Sequence, residues 1–155
     1  MDAFFKYLKS IEKAIIVIAT AAMAIVTFMQ VVFRVVLNNP LAWSEEVSRY
    51  LFICIVLFGG ALAVANNEHF KMDFLYTAVP KKYKKLLNLI SCLAMIIFAL
   101  IMIIYGGKLM KSVITQLSPA LRISMAIPYS VLPISGLLIL IHIVELIVSP
   151  LMSKD

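Results

Sequence analysis

Residues 14–37 run for 24 positions with Arg34 as their only charge. At about 1.5 Å per residue a helix of this length reaches roughly 36 Å, more than the roughly 30 Å hydrocarbon core of a bilayer, so the run reads as a tilted membrane span. Three further apolar runs follow at about 47–65, 86–105 and 127–148. Composition agrees: 63% of the 155 residues are hydrophobic and 14% charged, against roughly 45–50% and 25% in soluble domains. Each span needs about 20 residues, so four spans with short connections use nearly the whole chain. The expected fold is therefore all-α: one integral membrane domain over 1–155 with four transmembrane helices. No soluble domain is left over.

The residues between the runs set the boundaries. Residues 2–13 place Phe4, Tyr7, Leu8 and Ile11 on one helical face and Lys6, Lys9, Glu12 and Lys13 on the other, the pattern of an amphipathic helix lying on the membrane surface. No small-residue cleavage site closes the first run, so it reads as a retained span and not a signal peptide. Asn38, Asn39 and Pro40 break the first helix, and Pro80 precedes the basic cluster Lys81, Lys82, Lys84 and Lys85 at the start of the third. Residues 108–117 can prolong the third helix up to Ser118 and Pro119, and Pro133 should kink the fourth or loosen its first turn.

The net charge of +6 is best explained by topology. With the N-terminus inside, the cytoplasmic segments carry Lys6, Lys9, Lys13, Lys71, Lys81, Lys82, Lys84, Lys85 and Lys154, whereas the other side holds Lys108, Lys111 and Arg122, with Arg34 and Arg49 near its boundary. The excess of cytoplasmic Lys and Arg places both termini in the cytoplasm. Nucleic acid is not an expected partner; membrane lipid is.

Polar residues within or beside the spans are the candidate sites, because lipid does not solvate them. Arg34 shares a helical face with Thr20, Thr27 and Gln30 and is expected to pair with Glu45 or Glu46 across the first hairpin; the competing reading is a side chain reaching the outer head groups. Ser44 can cap the second helix, with Glu45 and Glu46 in its first turn and Arg49 within ion-pair spacing. Trp43 suits the interfacial aromatic belt. A well-capped helix start explains the same residues without a further role. Gly59, Gly60 and Ala63, with Ala61 and Ala65, give the second span a small-residue face that another helix, in this chain or another, can approach closely. Asn88, Ser91 and Met95 share one face of the third span; Ser135, His142 and Glu145 share one face of the fourth. His142 with Glu145 has the makings of a proton relay, but both lie within about two turns of the cytoplasmic end, where water can solvate them. Cys54 and Cys92 stand alone in apolar runs and read as core thiols. No metal or cofactor is expected on this chain.

The segments Trp43-Ser44-Glu45-Glu46, Arg49-Tyr50-Leu51-Phe52, Phe58-Gly59-Gly60-Ala61 and His69 resemble the small membrane subunit (DctQ-like, the Q subunit) of the TRAP, or tripartite ATP-independent periplasmic, transporters. Residues 118–123, Ile127-Pro128-Tyr129 and Leu132-Pro133-Ile134 are similar to the family's loop into its last helix, so the likeness covers about 14–148. The sequence departs at Arg122, where the family commonly has glycine. The resemblance implies a non-catalytic scaffold subunit in the bacterial inner membrane, bound to a large membrane subunit that carries solute and sodium. A periplasmic substrate-binding protein would deliver an organic anion, such as a dicarboxylate or sialic acid, to an elevator-type transport domain. On this reading Arg34, Trp43, Glu45, Glu46 and Arg49 hold the periplasmic ends of the first two helices. Lys108, Lys111 and Arg122 are candidates for docking the binding protein.

Three rival functions fit less well. A self-sufficient four-helix transporter needs a mid-span acid, and none is present. A membrane redox enzyme needs cysteine pairs or several in-membrane histidines, against Cys54, Cys92, His69 and His142 here. A metalloprotease-type enzyme needs a His-Glu pair with a second spaced His, which does not occur.

Overall fold

A computed structural model describes residues 2–66 and 81–152, all-helical apart from connections and an isolated bridge between Leu117 and Ser124. The helices are α1 (Asp2–Val35), α2 (Ala42–Ala65), α3 (Lys81–Ser112), the single turn α4 (Ala126–Tyr129) and α5 (Val131–Met152). By length and composition four stretches can cross a membrane: Phe4–Val35, Ala42–Ala65, Leu86–Ser112 and Ala126–Val148. Long apolar side chains such as Phe28 and Leu89 project outward. That exposure suits a lipid solvent, in which only the backbone polar groups demand internal partners.

Residues 2–13 are not an element of their own. They are the first turns of α1, which continues unbroken into the span, and the polar face expected to meet water turns partly inward: Glu12 is buried. At the far end α1 unwinds through wide turns, Leu37 N donating to Val32 O and Asn39 N to Phe33 O. Asn38 takes φ 49° there, a left-handed conformation that asparagine tolerates better than most residues.

Helix α2 begins five residues before the expected 47, so Trp43, Ser44, Glu45 and Glu46 lie within its first turns. Ser44 is not its cap. Leu41 holds that position without a side-chain bond, and Ser44 Oγ instead donates back to Leu41 O at 2.7 Å. Helix α3 outruns the expected 105, ending at Ser112, whose hydroxyl bonds Leu109 O. The break between α4 and α5 at Ser130 follows from Pro133, which has no N–H to offer the carbonyl four residues back.

Helix α1 packs along α2, α2 along α5, and α5 along α3. The core is formed by Ala61 and Val64 of α2, Ala99 and Met102 of α3, and Leu138, Ile139 and Ile143 of α5. Helices in lipid associate through van der Waals fit, which small residues permit by letting backbones approach. Gly136 does this: a Cβ there would lie 2.9 Å from Ala99 O and 3.1 Å from Met102 Cβ. Gly106 similarly admits Leu132 and Pro133. Cys54 and Cys92 are free and half-buried, the latter against this core.

Candidate functional site

Polar groups converge at both ends of the bundle. At the end where α2 begins, Glu46 is buried although its neighbour Glu45 is exposed, because successive residues on a helix point about 100° apart. Glu46 Oε2 accepts the backbone N–H groups of Ala120 at 2.9 Å and Leu121 at 3.1 Å, and Tyr50 Oη donates to Oε1. One carboxylate thus ties the 117–124 loop to α2, replacing hydrogen bonds the loop backbone would otherwise seek from water. The loop closes on itself through Ser118 N to Ile123 O at 2.8 Å and Met125 N to Gln116 O at 2.9 Å. Arg122 sits at φ 56°, in the left-handed region, which glycine adopts without the steric penalty a side chain brings. Beside Glu46 a cleft of about 300 Å³ is lined by Arg49, Tyr50, Ile53, Met125 and Tyr129, among others.

The expected Arg34 pairing is not formed. Glu46 is engaged by Tyr50 and the loop, and Glu45 bonds Arg49 at 3.2 Å as an exposed pair four residues apart. Among the described residues Arg34, exposed in the last turn of α1, makes no ion pair. The α1–α2 hairpin has a Thr27–Ser48 hydroxyl contact at 3.5 Å instead. Trp43 is exposed at the start of α2.

Gly59 and Gly60 meet no neighbour within 4 Å of an added Cβ, and Ala63 is half-buried. The small-residue face is therefore open where the glycines lie, and the close approaches within the chain use Gly106 and Gly136. Gly60 lines an apolar groove of about 260 Å³ with Val56, Val64, Met95, Phe98 and Ile139. Lys108 lies 5.4 Å from the ring centre of Tyr105, while Lys111 and Arg122 are exposed. Lys81, Lys82, Lys84 and Lys85 occupy the first turns of α3, but their side chains fall outside the described residues, as do His69, Lys71 and Lys154.

At the other end of the bundle, His142 is fully buried between Glu12 of α1 and Glu145 of α5, and Lys9 bonds Glu145 at 2.7 Å. Sequence reasoning assigned Lys9 and Glu12 to a solvated face; the signal for Glu12 was its position four residues after Leu8, which packs against the core. Ser135 is also buried, donating to Leu132 O at 3.0 Å. No group of three His, Cys, Asp or Glu side chains arranged to hold a metal ion is present among the described residues.

Comparison with known proteins agrees with this architecture. Residues 23–152 match the family described as "Tripartite ATP-independent periplasmic transporters, DctQ component". A putative TRAP transporter small permease protein of Haemophilus influenzae is 31% identical over 137 residues, 86% of this chain and 82% of its own length. The C4-dicarboxylate TRAP transporter small permease protein DctQ of Vibrio cholerae is 26% identical over 111 residues, 72% of this chain and 48% of its own. The sialic acid TRAP transporter permease protein SiaT of Haemophilus influenzae is 25% identical over 140 residues; these cover 90% of this chain but 23% of that much longer protein. With four apolar helices of spanning length and a match over most of its residues, the chain is a multi-pass protein of the bacterial inner membrane and belongs to the DctQ component family of the TRAP transporters.

Proposed function

We propose that this chain is the non-catalytic scaffold of a sodium-coupled TRAP transporter: it binds the large membrane subunit and forms part of the fixed wall against which an elevator-type domain moves an organic anion. A periplasmic binding protein delivers that anion, a carboxylate or a sialic acid, and both termini of this chain face the cytoplasm. The observation that carries the reading is where the polar groups lie. Glu46 and the Lys9, Glu12, His142 and Glu145 group are occupied with internal bonds at the helix ends, and the middles of the spans carry no Asp, Glu, Lys, Arg or His to offer a solute. Further support comes from the sialic acid permease, in which a similar segment makes up 23% of one longer protein.

In this scheme the open Gly59 and Gly60 face, with Ala63, meets the large subunit. Lys108, Lys111 and Arg122, with Trp43 and Arg34, present the periplasmic surface, and Lys81, Lys82, Lys84 and Lys85 hold the cytoplasmic side. The test is purification of this chain with and without the large membrane protein encoded beside it, followed by sodium-driven uptake with the binding protein in reconstituted vesicles. Co-purification, with uptake that requires this chain, is the expected result. Uptake by this chain alone would overturn the scaffold reading in favour of a self-sufficient small transporter.

A further inference from the structure

The scaffold role leaves one feature unused: a buried group of ionisable side chains where α1 begins and α2 and α5 end. His142 has no solvent exposure, and each of its ring nitrogens faces a carboxylate, Nε2 at 2.9 Å from Glu12 Oε1 and Nδ1 at 3.3 Å from Glu145 Oε2. Lys9 Nζ donates to the other oxygen of Glu145 at 2.7 Å and to Ala65 O at 3.2 Å.

A neutral imidazole has one N–H, so it can donate to only one of two carboxylates; the second would face a bare ring lone pair. The arrangement therefore calls for one more proton, on the ring or on a carboxyl group. Charge leads to the same count. With that proton the four groups sum to zero; without it a net negative charge lies between the helices, where an unpaired charge is expensive. Glu12 has the least compensation, since its Oε2 is buried with no hydrogen-bond partner among the described residues. Among the described side chains the other packed helices bring no compensating charge: residues 55–65 of α2 contain no ionisable side chain, and residues 86–100 of α3 contain only the Cys92 thiol.

We infer that Glu12, His142 and Glu145 form a buried proton-binding site that clasps the base of α1 to α5, the clasp holding while the shared proton is bound and weakening when it leaves. The proton exchanges with bulk water past Glu145, whose side chain retains 17% exposure. Because α1 otherwise packs along α2, this clasp governs how firmly its first turns are attached.

The test uses the full chain purified in detergent micelles. Nitrogen-15 spectra of labelled histidine, with the His69 signal identified in a His69→Gln variant, are expected to show His142 as an imidazolium at neutral pH. Otherwise infrared difference spectra show a protonated carboxyl that Glu12→Gln or Glu145→Gln removes. A neutral ring beside two ionised carboxylates would overturn the proposal. A second readout is the thermal midpoint between about pH 6 and about pH 9, the range around histidine titration. In the wild type the midpoint falls by several degrees as the pH rises and the shared proton is lost. In Glu12→Gln the amide donates to the neutral ring and the remaining charges cancel, so its midpoint stays level over that range. Parallel pH profiles for the wild type and Glu12→Gln would refute the inference. Should that variant fail to fold, Glu145→Gln repeats the test at the other ring nitrogen.

Discussion

The sharpest consequence of the packing concerns two glycines that the same substitution should affect in opposite directions. An added Cβ at Gly136 would lie 2.9 Å from Ala99 O, 3.0 Å from Ile103 Cγ1 and 3.1 Å from Met102 Cβ, whereas at Gly60 it meets nothing within 4 Å. Replacing glycine by alanine within a helix gains about 1 kcal/mol in conformational preference. At Gly60 that gain stands nearly alone, so Gly60→Ala raises the stability of the isolated chain by up to about 1 kcal/mol. At Gly136 the nearest contact is a backbone carbonyl, which cannot rotate away, so α3 and α5 must separate. Overpacking of this kind costs about 1–3 kcal/mol, and Gly136→Ala loses about 1 kcal/mol net, with Gly136→Val losing more. The difference between the two alanine variants is then about 2 kcal/mol, or roughly 4–8 °C in midpoint for a chain of this size. Thermal unfolding in detergent, followed by circular dichroism, measures it. Equal midpoints, or Gly136→Ala the more stable of the two, would refute the close-packing argument.

Other outcomes follow from the loop end of the bundle and from the open face. Glu46→Ala removes the acceptor of two backbone N–H groups, so limited proteolysis should cut the 117–124 loop faster, whereas Glu45→Gln, which loses an exposed pair, changes stability by no more than about 0.5 kcal/mol. Arg122→Gly relieves a left-handed φ of 56° and leaves the thermal midpoint level or raises it by the equivalent of up to about 1 kcal/mol, while Arg122→Val lowers it by about 1–2 kcal/mol. Gly60→Leu fills the open groove, its Cβ meeting no atom of the chain within 4 Å; on the proposed scaffold role it cuts co-purification with the large subunit while the isolated chain still folds. Unchanged co-purification would move the interface elsewhere.

The spans were legible because lipid imposes a simple demand: about 20 apolar residues in an unbroken helix. All four were found, and their ends shifted for local reasons. Nothing in residues 2–13 breaks a helix, so they continue into α1. The 42–46 segment lacks a glycine or internal proline and joins α2. Pro133 acted as its chemistry requires. Gly136 was not singled out because its importance depends on Ala99, 37 positions earlier, and on the register in which α3 meets α5. Local sequence carries no record of that register.

The charged residues make the same point more strongly. Glu12 lies among Lys9 and Lys13, and Glu45 beside Glu46, so composition gives each glutamate an equal claim to solvent. Which one turns inward depends on partners distant in the chain: the Ala120 and Leu121 amides for Glu46, and the His142 ring for Glu12. Pairing rules that look four residues away favour Glu45 with Arg49, and that exposed pair does form, but it holds no distant segment in place. The bonds that do so join residues 74, 75 and 130 positions apart. In a bundle whose apolar surface fits lipid almost equally well all round, such polar contacts can fix helix register where hydrophobicity discriminates poorly. A buried glutamate at each end of the bundle, one bonded to neutral backbone amides and one facing a histidine, is placed to select a single packing of otherwise interchangeable apolar helices.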